Sequence, residues 1–161
     1  MRIVVYGEPG AQGSKRFVRT TASGKGIMVE TSKKTAPWRA DVIGAVRRYV
    51  DEWPGFVPYD GPLIGRMVFT FARPASVSRK KRPYMSVAPD LSKLIRSTED
   101  ALQAAGAIRD DCLIVEYTRQ AKVYVGEDPE ALDAPGALIV LGPLVPLAEI
   151  TGGIPGVKEE T

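Results

Sequence analysis

The chain has 161 residues and a formal net charge of +3, with 44% hydrophobic and 25% charged residues. This length and composition suit one globular domain, and the mild basic excess is compatible with a nucleic-acid partner without requiring one. The absence of histidine excludes Cys/His zinc sites and both Ser-His-Asp and Cys-His catalysis. Hydrolytic chemistry would therefore depend on carboxylates, metal ions, lysine or arginine. The single cysteine, Cys112, excludes an intrachain disulfide and is expected to be a small buried hydrophobe.

The apolar patterning predicts strands and helices in a mixed order. Strands are expected at 3–6, 63–71, 113–125 and 137–141, and a hairpin at 17–20 and 27–30. A first helix is expected to be capped by Thr35 and to end before Pro54, with Trp38 and Trp53 both on its buried face. A second helix is expected at about 91–105, ended by Gly106.

This order of elements predicts an α+β fold with a single mixed β-sheet and two main helices. Residues 1–142 are expected to form one domain, and residues 143–161 a loosely ordered C-terminal tail of unknown role. Met1 and Arg2 lead into only a short apolar run, and no window approaches the roughly 18 apolar residues of a membrane span. We therefore expect a cytoplasmic protein without a membrane partner.

Acidic residues stand at both ends of the second predicted helix. Asp90 lies at its start, and Asp110 and Asp111 lie where the next strand begins. Each has an ordinary structural explanation, since Asp90 suits a helix N-cap and the Asp110-Asp111 pair suits a turn. A helix of about 16 residues is roughly 24 Å long, so the sequence alone does not bring Asp90 and Asp111 together.

The basic residues fall partly in clusters. A glycine-rich loop precedes Lys15 and Arg16, but it lacks the Walker spacing, so no nucleotide cofactor is expected. A second cluster occupies a long loop and consists of Arg79, Lys80, Lys81 and Arg82. Such a cluster is most often a solvated loop, and in an enzyme acting on DNA it would contact phosphates.

Residues 89–111 read PDLSKLIRSTEDALQAAGAIRDD, and residues 7–16 read GEPGAQGSKR. The first segment resembles the RusA family of Holliday-junction resolvases, whose pattern is P-D-x-D-(N/K)-L-x-(K/R), then D-A-L, then D-D before an apolar strand. The second segment looks like the opening of phage members of that family. The resemblance covers about residues 1–125. The separation of Asp90 and Asp111 (111 − 90 = 21) equals the separation of the first and last metal-binding aspartates in the family.

The resemblance implies a homodimeric endodeoxyribonuclease that uses Mg²⁺ to nick Holliday junctions and other branched DNA in paired positions, in the host cytoplasm if phage-encoded. It implies metal binding by Asp90 and Asp111, with Asp110 as a further candidate, and a phosphate-side cation at Arg96, where the family has lysine. Lys122 lies one position from a family lysine and carries little weight. The implied DNA-binding residues are Lys15, Arg16, Arg79, Lys80, Lys81, Arg82 and Lys93.

The departure from the family pattern is Ser92, which stands where the family has a second metal-binding aspartate. Serine is uncharged and a weaker Mg²⁺ ligand, so the catalytic site would be weakened. Glu99 shares the face of Ser92 but lies two turns along, roughly 10 Å away, which is too far to replace it directly. Two alternatives therefore stand beside the nuclease: a branched-DNA-binding protein of the same fold with little or no activity, and a basic α+β interaction module that does not prefer DNA.

Overall fold

The computed structural model describes residues 1–13, 15–20, 24, 26–30 and 32–145, and only the backbone at 15–19 and 26–30. Four strands form the main sheet: β1 (Arg2–Tyr6), β4 (Leu63–Phe71), β5 (Ile114–Tyr124) and β6 (Gly136–Pro143). A separate antiparallel hairpin contains β2 (Lys15–Thr20) and β3 (Gly26–Glu30). The two helices are α1 (Thr35–Glu52) and α2 (Leu91–Ala104).

The main sheet has the order β1-β6-β4-β5 and is mixed. Strands β1 and β4 each pair antiparallel with β6, whereas β4 and β5 are parallel. Parallel neighbours need a crossover connection, and α2 supplies it, so α2 runs back along the sheet between β4 and β5. The predicted α+β class, with one mixed sheet and two main helices, is confirmed.

The helices cover one face of the sheet, where alternate side chains of the strands meet them. Trp38 of α1 is fully buried against Phe69 of β4, with ring centroids 6.2 Å apart. Its indole N–H donates to Thr98 of α2 at 3.0 Å, which satisfies the one polar atom of a large buried ring. This contact fixes α1, α2 and β4 relative to one another.

The end of α2 follows the sequence prediction. Gly106 has φ of +76°, a conformation that side chains rarely adopt, and its N–H donates to Gln103 O at 3.0 Å. The N–H of Ala107 donates to Leu102 O at 2.9 Å. This pair of bonds is a Schellman motif, which stops the helix and turns the chain toward the 3₁₀ turn Asp111–Leu113 and β5.

Three local predictions are wrong. Thr35 does not cap α1; its buried hydroxyl donates to Ala11 O at 2.7 Å, and Lys34 occupies the cap position. Trp53 is 61% exposed because α1 ends at Glu52, so its side chain lies beyond the buried face of the helix and stacks on Tyr49 at the surface. Cys112 is exposed because it lies in the 3₁₀ turn that precedes β5.

The described part of the chain ends shortly after β6. Strand β6 extends to Pro143, and the N–H of Leu144 donates to Pro62 O at 2.8 Å. Residues 146–161 of the predicted tail lie outside the described residues. No helix in the described part of the chain is long and apolar enough to cross a membrane.

Candidate active site

Asp90 begins α2 from an extended backbone conformation, with φ −66° and ψ 135°. Asp90 occupies the N-cap position, but within the described part of the chain its carboxylate accepts no hydrogen bond from a helix N–H. Helix capping by the side chain therefore does not account for this aspartate. The carboxylate instead pairs with Lys93 at 3.1 Å, and the two side chains are 61% and 53% exposed. An ion pair this exposed is weak and leaves Asp90 accessible to an incoming ligand.

The turn in front of Asp90 is attached to the sheet by Lys122 of β5. The Lys122 ammonium donates to Val87 O at 2.7 Å and to Pro89 O at 2.6 Å. Sequence reasoning gave this lysine little weight, and its position within a strand carries no signal for such a contact. The start of α2 thus lies beside the C-terminal half of β5.

At the other end of α2, Asp110 is engaged in the local turn. Its Oδ1 accepts the Cys112 backbone N–H at 2.9 Å. Hydrogen bonds from the Cys112 side chain and then from its backbone hold the pKa of Asp110 below its ordinary value. Asp110 therefore acts as a turn residue, as the ordinary structural interpretation predicts. Asp111 next to it is half-buried and begins the 3₁₀ turn.

Glu99 of α2 stands close to Asp111. The Tyr117 hydroxyl of β5 donates to Glu99 Oε1 at 2.7 Å. Burial raises the pKa of Glu99 most; the Tyr117 bond lowers it, and the charges of Asp111 and Asp100 raise it further. Burial and then Glu99 raise the pKa of Tyr117, so its hydroxyl stays protonated and remains the donor.

Gly65 of β4 makes this contact sterically feasible. It pairs with Tyr117 across the parallel strands, and a Cβ at Gly65 would lie 2.7 Å from Cε1 of the Tyr117 ring. Real Cβ atoms essentially never approach so closely, so glycine leaves the space in which the ring lies. The Tyr117 hydroxyl thereby reaches α2 and holds the Glu99 carboxylate close to Asp111.

The two predicted metal-binding aspartates therefore belong to opposite ends of α2. Asp90 lies at the end contacted by Lys122, whereas Asp111 lies near Glu99, nine residues or about 14 Å further along the helix. Among the residues that the structure describes, no group of three acidic or cysteine side chains is placed to hold a metal ion. The described side chains of one chain do not close a pocket shared by Asp90, Asp110 and Asp111.

A divalent cation nevertheless suits the pair formed by Asp111 and Glu99. Mg²⁺ commonly uses one or two carboxylates and completes its shell with water and substrate phosphate. The two carboxylates repel each other across a half-buried space, and a cation would relieve that repulsion. Glu99 remains two helical turns from Ser92, as predicted from the sequence. Sequence reasoning missed its proximity to Asp111, which depends on how α2 and the 3₁₀ turn pack.

The predicted basic residues differ in their partners. Arg96 is exposed on α2, and its charge lowers the pKa of Glu99. Arg79 pairs with Glu127 at 2.5 Å. Within the described part of the chain, no ion pair involves Lys80, Lys81 or Arg82. The side chains of Lys15 and Arg16 lie outside the described residues.

Replacing Glu99 with glutamine tests the electrostatics of this pair. The pKa of Glu99 is raised in the folded chain, so the folded chain binds the proton of the Glu99 carboxyl more tightly than the unfolded chain does. Protonation of Glu99 therefore stabilises the fold at low pH, and this stability is lost as pH rises. In EDTA, Glu99→Gln should melt roughly 1–2 °C above the parent at about pH 8, and the difference should vanish toward about pH 4. Thermal unfolding across this range measures it; a parent more stable than the variant at high pH would contradict the assignment.

The fold and site define the class of protein. It is an α+β domain with one mixed four-stranded sheet, a separate hairpin and two helices. The exposed carboxylate of Asp90 lies at the start of α2, and basic residues 79–82 occupy the loop that precedes it in the chain. The family model for endodeoxyribonuclease RusA matches residues 7–131, which is most of the chain. The chain belongs to the RusA endodeoxyribonuclease family, whose activity is that of a Holliday-junction resolving endonuclease. A search of the curated proteins finds no match.

Proposed function

We propose that this protein is a Mg²⁺-dependent, structure-selective endonuclease that resolves Holliday junctions and other branched DNA by paired nicks. The family match carries the proposal. It is supported by the exposed Asp90 carboxylate at the start of α2 and by Lys80, Lys81 and Arg82 in the preceding loop, which form no ion pair among the described residues. Paired nicking needs two active sites on one junction, so the proposal includes a homodimer. It also places the enzyme in the cytoplasm, or in the host cytoplasm if it is phage-encoded.

The carboxylates have separate roles in this proposal. Asp111 and Glu99 would hold Mg²⁺. At the opposite end of α2, the exposed Asp90 carboxylate would take part in cleavage. When bound, Mg²⁺ supplies an activated water and neutralises charge that develops on the scissile phosphate. Tyr117 keeps Glu99 oriented, and Asp110 holds the turn that carries Asp111. Metal coordination by Asp110 is less favoured, because its Oδ1 already accepts a backbone N–H.

The cations would bind the DNA backbone. Arg96 stands one helical turn from Glu99, where a guanidinium supplies a permanent charge for a phosphate bound beside the metal. Lys80, Lys81 and Arg82 are proposed as phosphate contacts in the loop. Lys93 would join them by exchanging its exposed partner Asp90 for phosphate, which costs little. Arg79, whose own side chain is exposed, would exchange the mostly covered Glu127 carboxylate for phosphate. Lys15 and Arg16 remain candidates from the sequence.

Mapping the cut sites on a four-way junction tests the proposal. Each strand is labelled in turn and incubated with the protein and Mg²⁺, with a linear duplex of the same sequence as control. We expect nicks at symmetric positions on two opposing strands, and ligatable duplex products. Equal cutting of the linear duplex would reject structure selectivity, and a single unpaired nick would reject paired resolution.

A second candidate function is a branched-DNA-binding protein with little cleavage activity. Two observations favour it: Ser92 stands exposed where the family has an aspartate, and the described acidic side chains form no cluster of three. This candidate keeps the basic surface but loses the metal site. It predicts tight, salt-sensitive junction binding without nicking, whereas the nuclease nicks under the same conditions.

Restoring the carboxylate separates these two candidates. In the weakened-site candidate the metal position lies beside Asp90, and Ser92→Asp restores a charged oxygen ligand there, on the exposed first turn of α2. The substitution should therefore tighten Mg²⁺ binding by about tenfold. If the parent binds junctions without cutting, the variant should gain cleavage. Calorimetric Mg²⁺ titration and junction cleavage are the measurements, with Ser92→Asn as an uncharged control. An active parent that gains nothing from the substitution would count against the weakened-site candidate.

A further inference from the structure

Lys122 is a half-buried cation that points across the edge of the sheet toward the start of α2. Its ammonium donates two short hydrogen bonds to Val87 O and Pro89 O, at 2.7 and 2.6 Å. Both acceptors are main-chain carbonyls in the loop that leads from β4 to α2. The second belongs to the residue directly before Asp90, so this contact lies one peptide unit from a candidate catalytic carboxylate.

Two other cations around this loop have carboxylate partners. Lys93 pairs with Asp90, and Arg79 pairs with Glu127. Within the described part of the chain, no carboxylate forms an ion pair with Lys122. A cation that gives up part of its hydration to bind carbonyls holds those carbonyls strongly, because hydrogen bonds from a charged donor are roughly twice as strong as neutral ones.

We propose that Lys122 is a positioning residue for Asp90, and that it acts by fixing the Val87–Pro89 carbonyls against β5. This inference rests on the proposed function only in taking the Asp90 carboxylate to act in cleavage. Holding Pro89 O sets the plane of the peptide that joins Pro89 to Asp90. That plane sets the direction in which the Asp90 side chain leaves the helix start. The rigid strand thereby orients a carboxylate carried by a long loop.

The competing role for Lys122 is direct contact with a DNA phosphate through its third N–H. The two roles predict different kinetics. A positioning residue should change kcat and leave junction affinity unchanged, because it acts only through Asp90. A phosphate ligand should change junction affinity and KM, and its effect should add to that of an Asp90 substitution.

The test is a double-mutant cycle with Lys122→Met, Asp90→Asn and the double variant, and with Lys33→Met as an exposed lysine control. Single-turnover cleavage gives kcat, and junction binding in EDTA gives Kd. We expect Lys122→Met to lower kcat by at least tenfold with Kd unchanged, and the double variant to cut no worse than Asp90→Asn. Lys122→Arg, which keeps a charged donor, should recover most of the lost kcat.

Hydrogen exchange of the peptide 84–91 provides a readout that does not depend on cleavage. Lys122→Met should raise its exchange rate, while Lys33→Met should leave it unchanged. Unchanged exchange, additive effects on kcat, or a weakened Kd would each overturn the positioning role. If the parent cuts no junction, the proposed nuclease function fails; faster exchange in Lys122→Met would still support the positioning contact, and unchanged exchange would reject it.

Discussion

Replacing Asp111 with asparagine is expected to reduce junction cleavage by roughly a hundredfold or more, because it removes one of the two carboxylates proposed to bind Mg²⁺. Asparagine keeps the size of the side chain, so the 3₁₀ turn Asp111–Leu113 should still form. Junction affinity in EDTA should stay the same or rise slightly, since a negative charge near the phosphates is lost. Cleavage rates and filter binding of the same junction separate these effects.

Asp51→Asn is the matched control for this prediction. Asp51 is an exposed residue near the end of α1, outside the proposed site, and the substitution makes the same change of charge. It should cut at the parent's rate. If Asp111→Asn cuts as well as Asp51→Asn, Asp111 has no part in catalysis, and the proposed metal position beside Glu99 is wrong.

The triple variant Lys80→Ser, Lys81→Ser, Arg82→Ser is expected to lose much of the salt dependence of junction binding. Each phosphate contact contributes about −0.9 to the slope of log K against log salt, so three contacts in each protomer of the proposed dimer contribute about −5.4 together. Between about 50 and 200 mM salt, the parent should lose roughly a thousandfold more affinity than the variant. Fluorescence anisotropy of a labelled junction across this range gives both slopes.

A second triple variant controls for net charge. Lys33→Ser, Arg47→Ser, Arg48→Ser removes the same charge from exposed positions on and before α1. Its salt slope should stay close to that of the parent, because those residues are not proposed to contact phosphate. Equal slopes for the two triple variants would show that only net charge matters, and would remove the 80–82 loop from the DNA-binding surface.

Hydrophobic patterning predicted most of the fold because each pattern had a single consistent period. The nine-residue strand β4 was predicted with its observed bounds, and Gly106 ended α2 as expected. The errors concern residues whose environment depends on distant chain. Thr35 bonds to Ala11 in a preceding loop, and Trp53 leaves the apolar face where α1 ends. The apolar pattern within one element shows neither the hydrogen bond of Thr35 nor the exposure of Trp53.

The sequence motif provides candidate site residues but not their arrangement. It selects Asp90 and Asp111 as candidates, and the sequence left open whether they meet. The parallel pairing of β4 with β5 places them toward opposite ends of α2. The roles proposed for Glu99 and Lys122 rest on contacts with Tyr117 and with the Pro89 carbonyl, which join residues 18 and 33 positions apart. Periodicity within one element does not reveal such contacts.

Cleavage of a labelled four-way junction by the unaltered protein, with Mg²⁺ and with EDTA, decides whether the chain is a resolving nuclease. We expect paired nicks in Mg²⁺ and intact junction in EDTA, with junction binding in both. Binding without nicking at any Mg²⁺ concentration would contradict the nuclease and favour the binding protein with a weakened metal site. Failure to bind either junction or duplex at low salt would contradict both, and would leave a basic interaction module that does not act on DNA.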